Sequence, residues 1–251
     1  MLPRLTDSDI TVTDGFCGGG GSSVGARLAG ARVRLALNHW PLAVDVHNEN
    51  HPDTDHDCAD ISQVDPRRYP TTTIAWWSPS CTHHTNARGR RRHIDATPDL
   101  FGETLPDEAA DRSRATMWDV VRFTEHHRYR TVIVENVIEA REWILWPAWL
   151  TAMTALGYRH RTVYLNSMHA TAAGPGAPQS RDRLYIVFWR NADPAPDLDT
   201  WTRPTAHCTA CGRTARAAQA WKTHRTHGRY RWQYTWRCPT PRCHREVHPT
   251  V

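Results

Sequence analysis

The 251 residues are 39% hydrophobic and 23% charged, with a formal net charge of +5. That length supports one large domain, or one medium domain with a small appendage, around a core that needs no disulfides. No apolar run approaches the ~20 residues that cross a bilayer, and residues 1–10 hold acids and a proline instead of an apolar signal-peptide core. We therefore expect a cytoplasmic protein with no membrane partner.

Strands and helices are predicted to alternate along most of the chain. Short β-branched and apolar runs predict strands over 10–16, 33–37, 72–77, 131–134, 158–165 and 184–189. Helical patterns cover 22–31, 41–50, 115–127 and 146–156, with Ser22 or Ser23 as the expected cap of the first helix. This alternation is typical of an α/β fold with a parallel sheet covered on both faces. The segment 83–110 lacks such a pattern, and 191–204 has the composition of a linker.

Three motifs in the first 61 residues suit a nucleotide-type cofactor. Phe16-Cys-Gly-Gly-Gly-Gly21 lies between a strand and a helix, where glycines allow close backbone approach and the helix offers free N–H groups. An ordinary tight turn explains this run equally well. Asn38-His-Trp40 ends the second strand, where the sugar and base of an adenosine cofactor lie in such folds. The third motif, Asp60-Ile61, carries no meaning by itself.

Three further motifs suit catalysis at the ends of strands. Ser78-Pro-Ser-Cys81 places a cysteine at the site edge of the sheet, where it is either a nucleophile or an inert thiol. Glu135-Asn136-Val137 follows another strand, and its carboxylate either exchanges a proton or is solvated. Gln179-Ser-Arg181-Asp-Arg183 leads into a strand, with a solvated basic turn as the alternative.

The order and spacing of these six motifs resemble the cytosine-C5 DNA methyltransferase family over residues 11–190. Asn166 and Pro178, which precede the arginine motif, extend the resemblance. It implies a Rossmann-like S-adenosylmethionine-dependent methyltransferase fold for residues 1–195, with double-stranded DNA as the partner. A bacterial cell or a phage-infected host is the implied setting, within a restriction-modification context.

The resemblance also implies roles for individual residues. Cys81 would add to carbon 6 of a cytosine flipped out of the duplex, and the segment 83–92 would close over that base. The implied catalytic residues are Cys81, Glu135, Asn136, Arg181 and Arg183. The implied binding residues for S-adenosylmethionine are Phe16, Gly18, Gly20, Gly21, Asn38, His39, Trp40, Asp60 and Ile61.

The chain departs from the family pattern at several places. Ser80 separates Pro79 from Cys81, and His39 replaces the acid that precedes the tryptophan. The sequence contains no recognisable C-terminal cofactor-binding helix and no large target-recognition domain. We therefore expect a smaller element to recognise the DNA target. We also expect a second protein chain to complete the cofactor site in place of the missing helix. The oligomeric state is not predicted.

The C-terminal segment, 196–251, is predicted to be a linker followed by a zinc-ribbon-like β module. Cys208-x2-Cys211 and Cys238-x4-Cys243, 26 residues apart, have the spacing of a closed, structural Zn²⁺ site. A histidine in place of one thiolate (His207, His227 or His244) is the alternative. Residues 202–251 carry ten Arg or Lys and one acid, for a net charge of +9. That excess favours a nucleic-acid partner, although a solvated basic tail would have the same charge.

Between the cysteine pairs, the segment 229–237 alternates strictly between aromatic and other residues. In a strand, Tyr230, Trp232, Tyr234 and Trp236 would share one face and the arginines the other. The basic face would then be solvated or lie along phosphates. We expect this ribbon to be the DNA-recognition module.

Two other functions are consistent with the sequence. One is methylation of cytosine C5 in RNA, for example tRNA. The other is a non-catalytic, zinc-dependent DNA-binding protein with a degenerate methyltransferase fold, whose DNA affinity would be indifferent to Cys81→Ala. The joint presence of Cys81, Glu135 and Arg183 favours an enzyme. The amino-acid sequence does not specify the target DNA site, whether a restriction enzyme accompanies the chain, or whether the transferred group is always methyl.

Overall fold

The computed structural model describes residues 10–80, 107–172 and 174–249, with the backbone alone for 107–114. The first seven strands are β1 Thr11–Gly15, β2 Arg32–Asn38, β3 Asp55–Cys58, β4 Ile74–Trp77, β5 Thr131–Asn136, β6 Tyr158–Asn166 and β7 Asp182–Arg190. The main helices are α1 Gly21–Leu28, α2 Pro41–Asn50, α3 Asp107–His127 and α4 Trp146–Ala155. Short 3-10 helices occupy Pro66–Arg68, Ile138–Glu142 and Ser167–His169.

The seven strands form one sheet in the order β3-β2-β1-β4-β5-β7-β6. β1 to β5 pair in parallel, and β7 runs antiparallel to both β5 and β6. The predicted α/β, Rossmann-like methyltransferase fold is thus confirmed, but the expectation of a wholly parallel sheet was wrong for β7. The described part of the connection 167–181 carries only a short 3-10 helix, so β7 returns beside β6 as a hairpin.

Local predictions differ from the structure at β3 and at the start of α1. β3 was missed because its residues, Asp55-His-Asp-Cys58, are polar, which an edge strand tolerates. The predicted serine cap of α1 was wrong. Gly20, in a left-handed conformation with φ of 99°, is the N-cap, and Ser22 and Ser23 lie inside the first turn.

The C-terminal residues form a small β module. A short helix, α5 Leu198–Thr202, leads into β8 Thr205–His207, which pairs with β9 Thr214–Arg216. β10 Ala218–Trp221, β11 Tyr234–Arg237 and β12 Glu246–Val247 form a three-stranded antiparallel sheet. This arrangement confirms the expected extra β module. In the described part of the chain, no helix is long and apolar enough to cross a bilayer.

The module packs directly on the larger sheet and shares its core. Buried Tyr234 and Trp236 belong to the same apolar cluster as Trp77 and Trp149 of the main body. Trp236 Nε1 donates to His169 Nδ1 at 3.1 Å, and Gln219 Nε2 donates to the carbonyl of Tyr164 at 3.0 Å. Burial lowers the pKa of His169 to about 4, so its ring stays a neutral acceptor. The position of the module relative to the sheet is therefore fixed by buried contacts.

The predicted continuous strand over 229–237 was wrong. β11 begins at Tyr234, and Arg231 adopts a left-handed conformation, with φ of 64°, in the turn before it. The reversal breaks the alternation. Tyr230, Tyr234 and Trp236 are buried as a group, whereas 77% of Trp232 is exposed.

Candidate active site

The carboxyl ends of the parallel strands meet at one edge, and five of the six predicted motifs begin there. β1 leads into the glycine run, β2 into Asn38-His-Trp40, and β3 into Asp60-Ile61. β4 ends at Trp77, just before Ser78-Pro-Ser, and β5 contains Glu135 and Asn136. The sheet reverses its direction of growth between β1 and β4. Ligands of open α/β sheets bind outside this switch point, so the motifs lie where a site is expected.

The glycine run forms an open backbone cradle between β1 and α1. Phe16 has a φ of 58°, and Gly20 ends the run in a left-handed conformation. His51 Nε2 donates to the Gly20 carbonyl at 3.1 Å, and its ring fills the space that a Cβ on Gly20 would take. Gly18 and Gly21 are exposed, and a Cβ on either would meet no atom within 4 Å. The loop therefore presents free backbone and the N–H groups of α1 to a ligand.

A buried polar network that the sequence did not suggest holds this cradle. Asp14, buried in β1, accepts hydrogen bonds from Ser22 at 2.5 Å and Ser23 at 2.7 Å. Ser23 Oγ lies 3.0 Å from Nε2 of His47, whose Nδ1 lies 2.8 Å from His56 Nε2. The network joins β1, α1, α2 and β3 and so fixes the first turn of α1. The usable signal was an acid within the strand that leads into a glycine run.

Gly20→Ala is expected to lower the free energy of unfolding by about 1–3 kcal/mol and to weaken S-adenosylmethionine binding. The new Cβ would have to accept a left-handed conformation and displace the His51 ring. Gly25→Ala is the matched control. Gly25 lies inside α1 with nothing within 4 Å, so alanine there should stabilise the helix by about 0.5–1 kcal/mol. Urea unfolding and calorimetric titration measure both effects. Equal unfolding free energies and equal cofactor affinities for the two variants would contradict the role of Gly20 in the cradle.

Of the residues at the end of β2, Asn38 makes structural contacts, whereas His39 and Trp40 are exposed. The Asn38 side chain donates to the carbonyl of Cys17 and accepts from the backbone N–H of Trp40 at 3.0 Å. It thereby ties β2 to the glycine run. His39 and Trp40 are exposed, and 47% of the tryptophan surface is accessible beside the cradle.

The residues after β3 also differ in position. Asp60 is exposed, and its Oδ1 accepts from the N–H of Ser62 at 3.0 Å. Ile61 is buried in the core, and its carbonyl accepts from the guanidinium of Arg122. Only Asp60 of this pair offers a side chain to a ligand, while Ile61 anchors the turn.

The same edge of the sheet contains an ion pair between β5 and β7. Arg183 Nε lies 2.8 Å from Glu135 Oε1, and about a fifth of each side chain is exposed. Arg183 also donates to the carbonyl of Asp182 at 2.8 Å. Tyr185 lies opposite Glu135 in the strand register, and its pKa is raised to about 12 by burial and by the Glu135 charge. The carboxylate and guanidinium are thus held together at a mostly buried position that still reaches solvent.

The chain that leads into Cys81 is anchored next to this ion pair. Buried Asn136 donates to the carbonyl of Pro79 at 3.3 Å, and the N–H of Ser78 donates to the carbonyl of Gly15 at 3.1 Å. Cys81 itself, like the segment 83–92, lies outside the described residues.

Arg181 is exposed, and the contacts that fix it are those of its backbone. Its N–H donates to Asn166 Oδ1 at 3.2 Å, and its carbonyl accepts from Ser167 at 2.9 Å. The buried Asn166 therefore shapes the approach to the arginine motif.

Comparison with known proteins agrees with this arrangement. The family model described as C-5 cytosine-specific DNA methylase matches residues 10–210. The chain belongs to this family. It is 29% identical over 185 residues to the Type II methyltransferase M.AgeI of Thalassovita gelatinovora, which covers 69% of this chain and 38% of that protein.

Solved structures share the fold of this chain. Dnmt2 methyltransferase from S. pombe has a TM-score of 0.55 at 19% identity, over 74% of this chain and 51% of that one. A candidate DNA modification methyltransferase encoded within an E. coli prophage has a TM-score of 0.58 at 15% identity, over 87% and 62%. The chain thus spans less than two thirds of the length of each of these relatives.

The four cysteines of the C-terminal module form a compact cluster. The Sγ atoms of Cys208, Cys211, Cys238 and Cys243 all lie within 4.8 Å of one another. Cys208 and Cys243 are 3.6 Å apart and Cys211 and Cys238 3.7 Å, too long for disulfides of about 2.05 Å. Tetrahedral Zn–S bonds of about 2.3 Å give S–S separations of about 3.8 Å, so the cluster fits a Zn²⁺ ion. Among the described residues, no histidine belongs to this cluster.

The two other described cysteines are unsuited to attack a base at this edge. Cys17 is buried, and burial together with the Asp14 charge raises the pKa of its thiol to about 12. Cys58 lies on β3, separated from β5 by three strands, and donates to the carbonyl of His39 at 3.7 Å.

Proposed function

We propose that this chain transfers a methyl group from S-adenosylmethionine to carbon 5 of cytosine in double-stranded DNA. The observation that carries the proposal is the Glu135–Arg183 ion pair, next to the anchored segment that enters Cys81 and at the same edge as the glycine cradle. Membership of the cytosine-specific family supports it. The likeness to a Type II methyltransferase supports a restriction-modification setting, in the cytoplasm.

Cys81 is the proposed nucleophile. Carbon 5 of cytosine is weakly nucleophilic, so a thiolate adds first to carbon 6 and makes a covalent adduct in which carbon 5 becomes electron-rich. After the methyl group is added, a base removes the proton from carbon 5 and the thiolate leaves. The cysteines at 17, 58, 208, 211, 238 and 243 are buried, remote or clustered, which supports Cys81 for this role.

The described residues of the edge support the same chemistry. Glu135 would hydrogen-bond N3 and the amino group of the base and offset the charge that develops on the ring. Arg183 holds Glu135 in place and would contact the ring oxygen. Asn136 is a positioning residue, since it fixes the Pro79 carbonyl two residues before the nucleophile. The exposed Arg181 would contact phosphate or the base.

The residues around the cradle fit S-adenosylmethionine, which when bound supplies an electrophilic methyl group. The exposed backbone at Gly18 and Gly21, with Phe16 and the left-handed Gly20 that shapes the loop, would hold its methionine end. Trp40 would pack on adenine and Asp60 would accept from the adenine amino group. Because the Asn38 side chain is engaged with the loop, His39 is left to contact the ribose, and Ile61 supports Asp60 from the core.

We further propose that residues 1–195 form the catalytic domain and 196–251 a linker and zinc ribbon that recognises DNA. The four thiolates would hold Zn²⁺ in a closed structural site with no open position for a substrate. A second chain that completes the cofactor side stays a prediction. Val24 and Leu28, exposed one turn apart on α1, support it.

Transfer of labelled methyl groups tests the function. Purified protein with methyl-labelled S-adenosylmethionine is incubated with duplex DNA or with RNA, and the products are digested to nucleosides for mass spectrometry. The proposal predicts 5-methyldeoxycytidine from duplex DNA. Methyl label found only in RNA would contradict the proposal and indicate an RNA cytosine methyltransferase. DNA binding without any methyl transfer would contradict it as well and indicate a non-catalytic DNA-binding protein.

A further inference from the structure

The loop between β10 and β11, residues 222–233, takes no part in the proposed chemistry and has an unusual surface. It contains four Arg or Lys residues, two histidines and no acid. Trp232 in this loop exposes 77% of its surface, although the neighbouring aromatic residues Tyr230 and Tyr234 are buried. An exposed indole among cations is a typical contact surface for nucleic acid, because bases stack on aromatic rings while arginines bind phosphates.

The loop is built to hold Trp232 away from the protein. The N–H of Arg231 donates to the carbonyl of Tyr234 at 2.8 Å, and the N–H of Gln233 donates to the carbonyl of Arg229 at 2.9 Å. The N–H of Lys222 donates to the carbonyl of Gln233 at 2.9 Å and closes the hairpin. Exposure of the indole is therefore a property of an ordered turn, so a ligand that stacks on it meets a pre-organised partner.

The positive charge of the loop is only partly neutralised. Arg229 pairs with Glu139, and His227 Nε2 lies 3.9 Å from Glu142 Oε1. Lys222 Nζ instead donates to the carbonyl of Arg231 at 2.6 Å, and the Arg231 guanidinium lies 5.5 Å from the centroid of Tyr230. Lys222 and Arg231 are exposed, as is Arg225. Lys222 and Arg231 keep cationic groups beside the indole, and Arg225 adds a third exposed cation to the loop.

The same contacts place the loop beside the catalytic edge. The N–H of Tyr230 donates to Asp182 Oδ1 at 2.9 Å, and the next residue, Arg183, forms the ion pair with Glu135. Glu139, the partner of Arg229, follows Glu135 by four residues. Trp232 therefore projects from a turn attached to β7, which carries Arg183, and to the 3-10 helix that follows Glu135 and β5.

We propose that Trp232 stacks on a base next to the flipped cytosine in duplex DNA, on the face that the cytosine uncovers when it leaves the stack, with Lys222, Arg225 and Arg231 on the flanking phosphates. The choice of DNA rests on the proposed function. Stacking on indole tolerates any base, so Trp232 supplies affinity and register near the site.

Fluorescence anisotropy with a labelled mixed-sequence duplex and the full zinc-loaded chain tests this proposal. Trp232→Ala should weaken binding about 5- to 100-fold, and Trp232→Phe should keep most of the affinity. Because no charge is removed, the dependence of binding on salt should stay unchanged, whereas Arg225→Gln should lower the salt slope by about 1. Trp201→Ala is the control, since Trp201 on α5 is 63% exposed and should not matter.

The outcomes separate this inference from the proposed function. Wild-type affinity in Trp232→Ala overturns the inference, even where the protein methylates DNA. A Trp232-dependent loss of DNA binding in a protein that methylates nothing supports the inference and overturns the function. A loss confined to RNA of the same sequence overturns the assignment of duplex DNA.

Discussion

Glu135→Gln is expected to lower the rate of methyl transfer to DNA about 100- to 1,000-fold, with little change in the affinity for S-adenosylmethionine or DNA. The carboxylate faces a ring on which charge develops only during the reaction, so its loss affects kcat more than KM. Gln keeps the size of the side chain but removes the charge that pairs with Arg183 at 2.8 Å. Single-turnover kinetics with pre-bound cofactor and DNA measures the effect.

Glu125→Gln is the matched control for this variant. Glu125 is exposed on α3 and should leave the rate unchanged. Thermal unfolding of Glu135→Gln measures structural damage separately, and the midpoint should fall by no more than several degrees. About four fifths of each side chain of the pair is buried, but glutamine keeps a hydrogen-bond acceptor for Arg183. A Glu135→Gln enzyme with the wild-type rate would remove Glu135 from the proposed chemistry.

Loss of zinc is expected to unfold the C-terminal module and to lower the midpoint of thermal unfolding by at least about 10 °C. Structural Zn²⁺ sites of this type contribute on the order of 10–16 kcal/mol to folding of small modules. The module shares a core with the main sheet through Tyr234 and Trp236, so the damage should spread beyond it. Cys238→Ser removes one buried ligand of the cluster. DNA binding should fall in parallel, because the Trp232 turn depends on the module.

Cys58→Ser provides the comparison for the zinc site, since Cys58 is exposed on β3 and outside the cluster. Plasma mass spectrometry should find about one zinc per chain in the wild type and in Cys58→Ser, and much less in Cys238→Ser. A metal-free wild type that is as stable as the metal-loaded protein would contradict a structural zinc site.

The sequence predicted the parts of the fold that local pattern determines. α2 begins and ends at the predicted residues, and β5, β6 and β7 extend the predicted runs by one to three residues, because apolar periodicity and proline or glycine boundaries mark them. β3 and the reversal of β7 could not be predicted in the same way. An edge strand needs no apolar run, and strand direction depends on the length of a connection.

The candidate site shows a similar division. The resemblance placed Glu135 and Arg183 in one site, and the structure joins them in an ion pair. The Asp14–Ser23–His47 contacts were not predictable, since they join residues far apart in sequence. The turn at Arg231 was missed because a left-handed arginine leaves no signal in an alternating sequence.

The central claim is that Cys81 attacks cytosine in DNA, and a covalent trap tests it most directly. Protein, S-adenosylmethionine and duplex DNA containing 5-fluorocytosine are combined and separated on a denaturing gel, since fluorine at carbon 5 blocks release of the enzyme. We predict a shifted band that requires the cofactor and disappears in Cys81→Ser. A cofactor-dependent band that persists in Cys81→Ser, or an adduct formed only with 5-fluorocytosine RNA, would contradict the account.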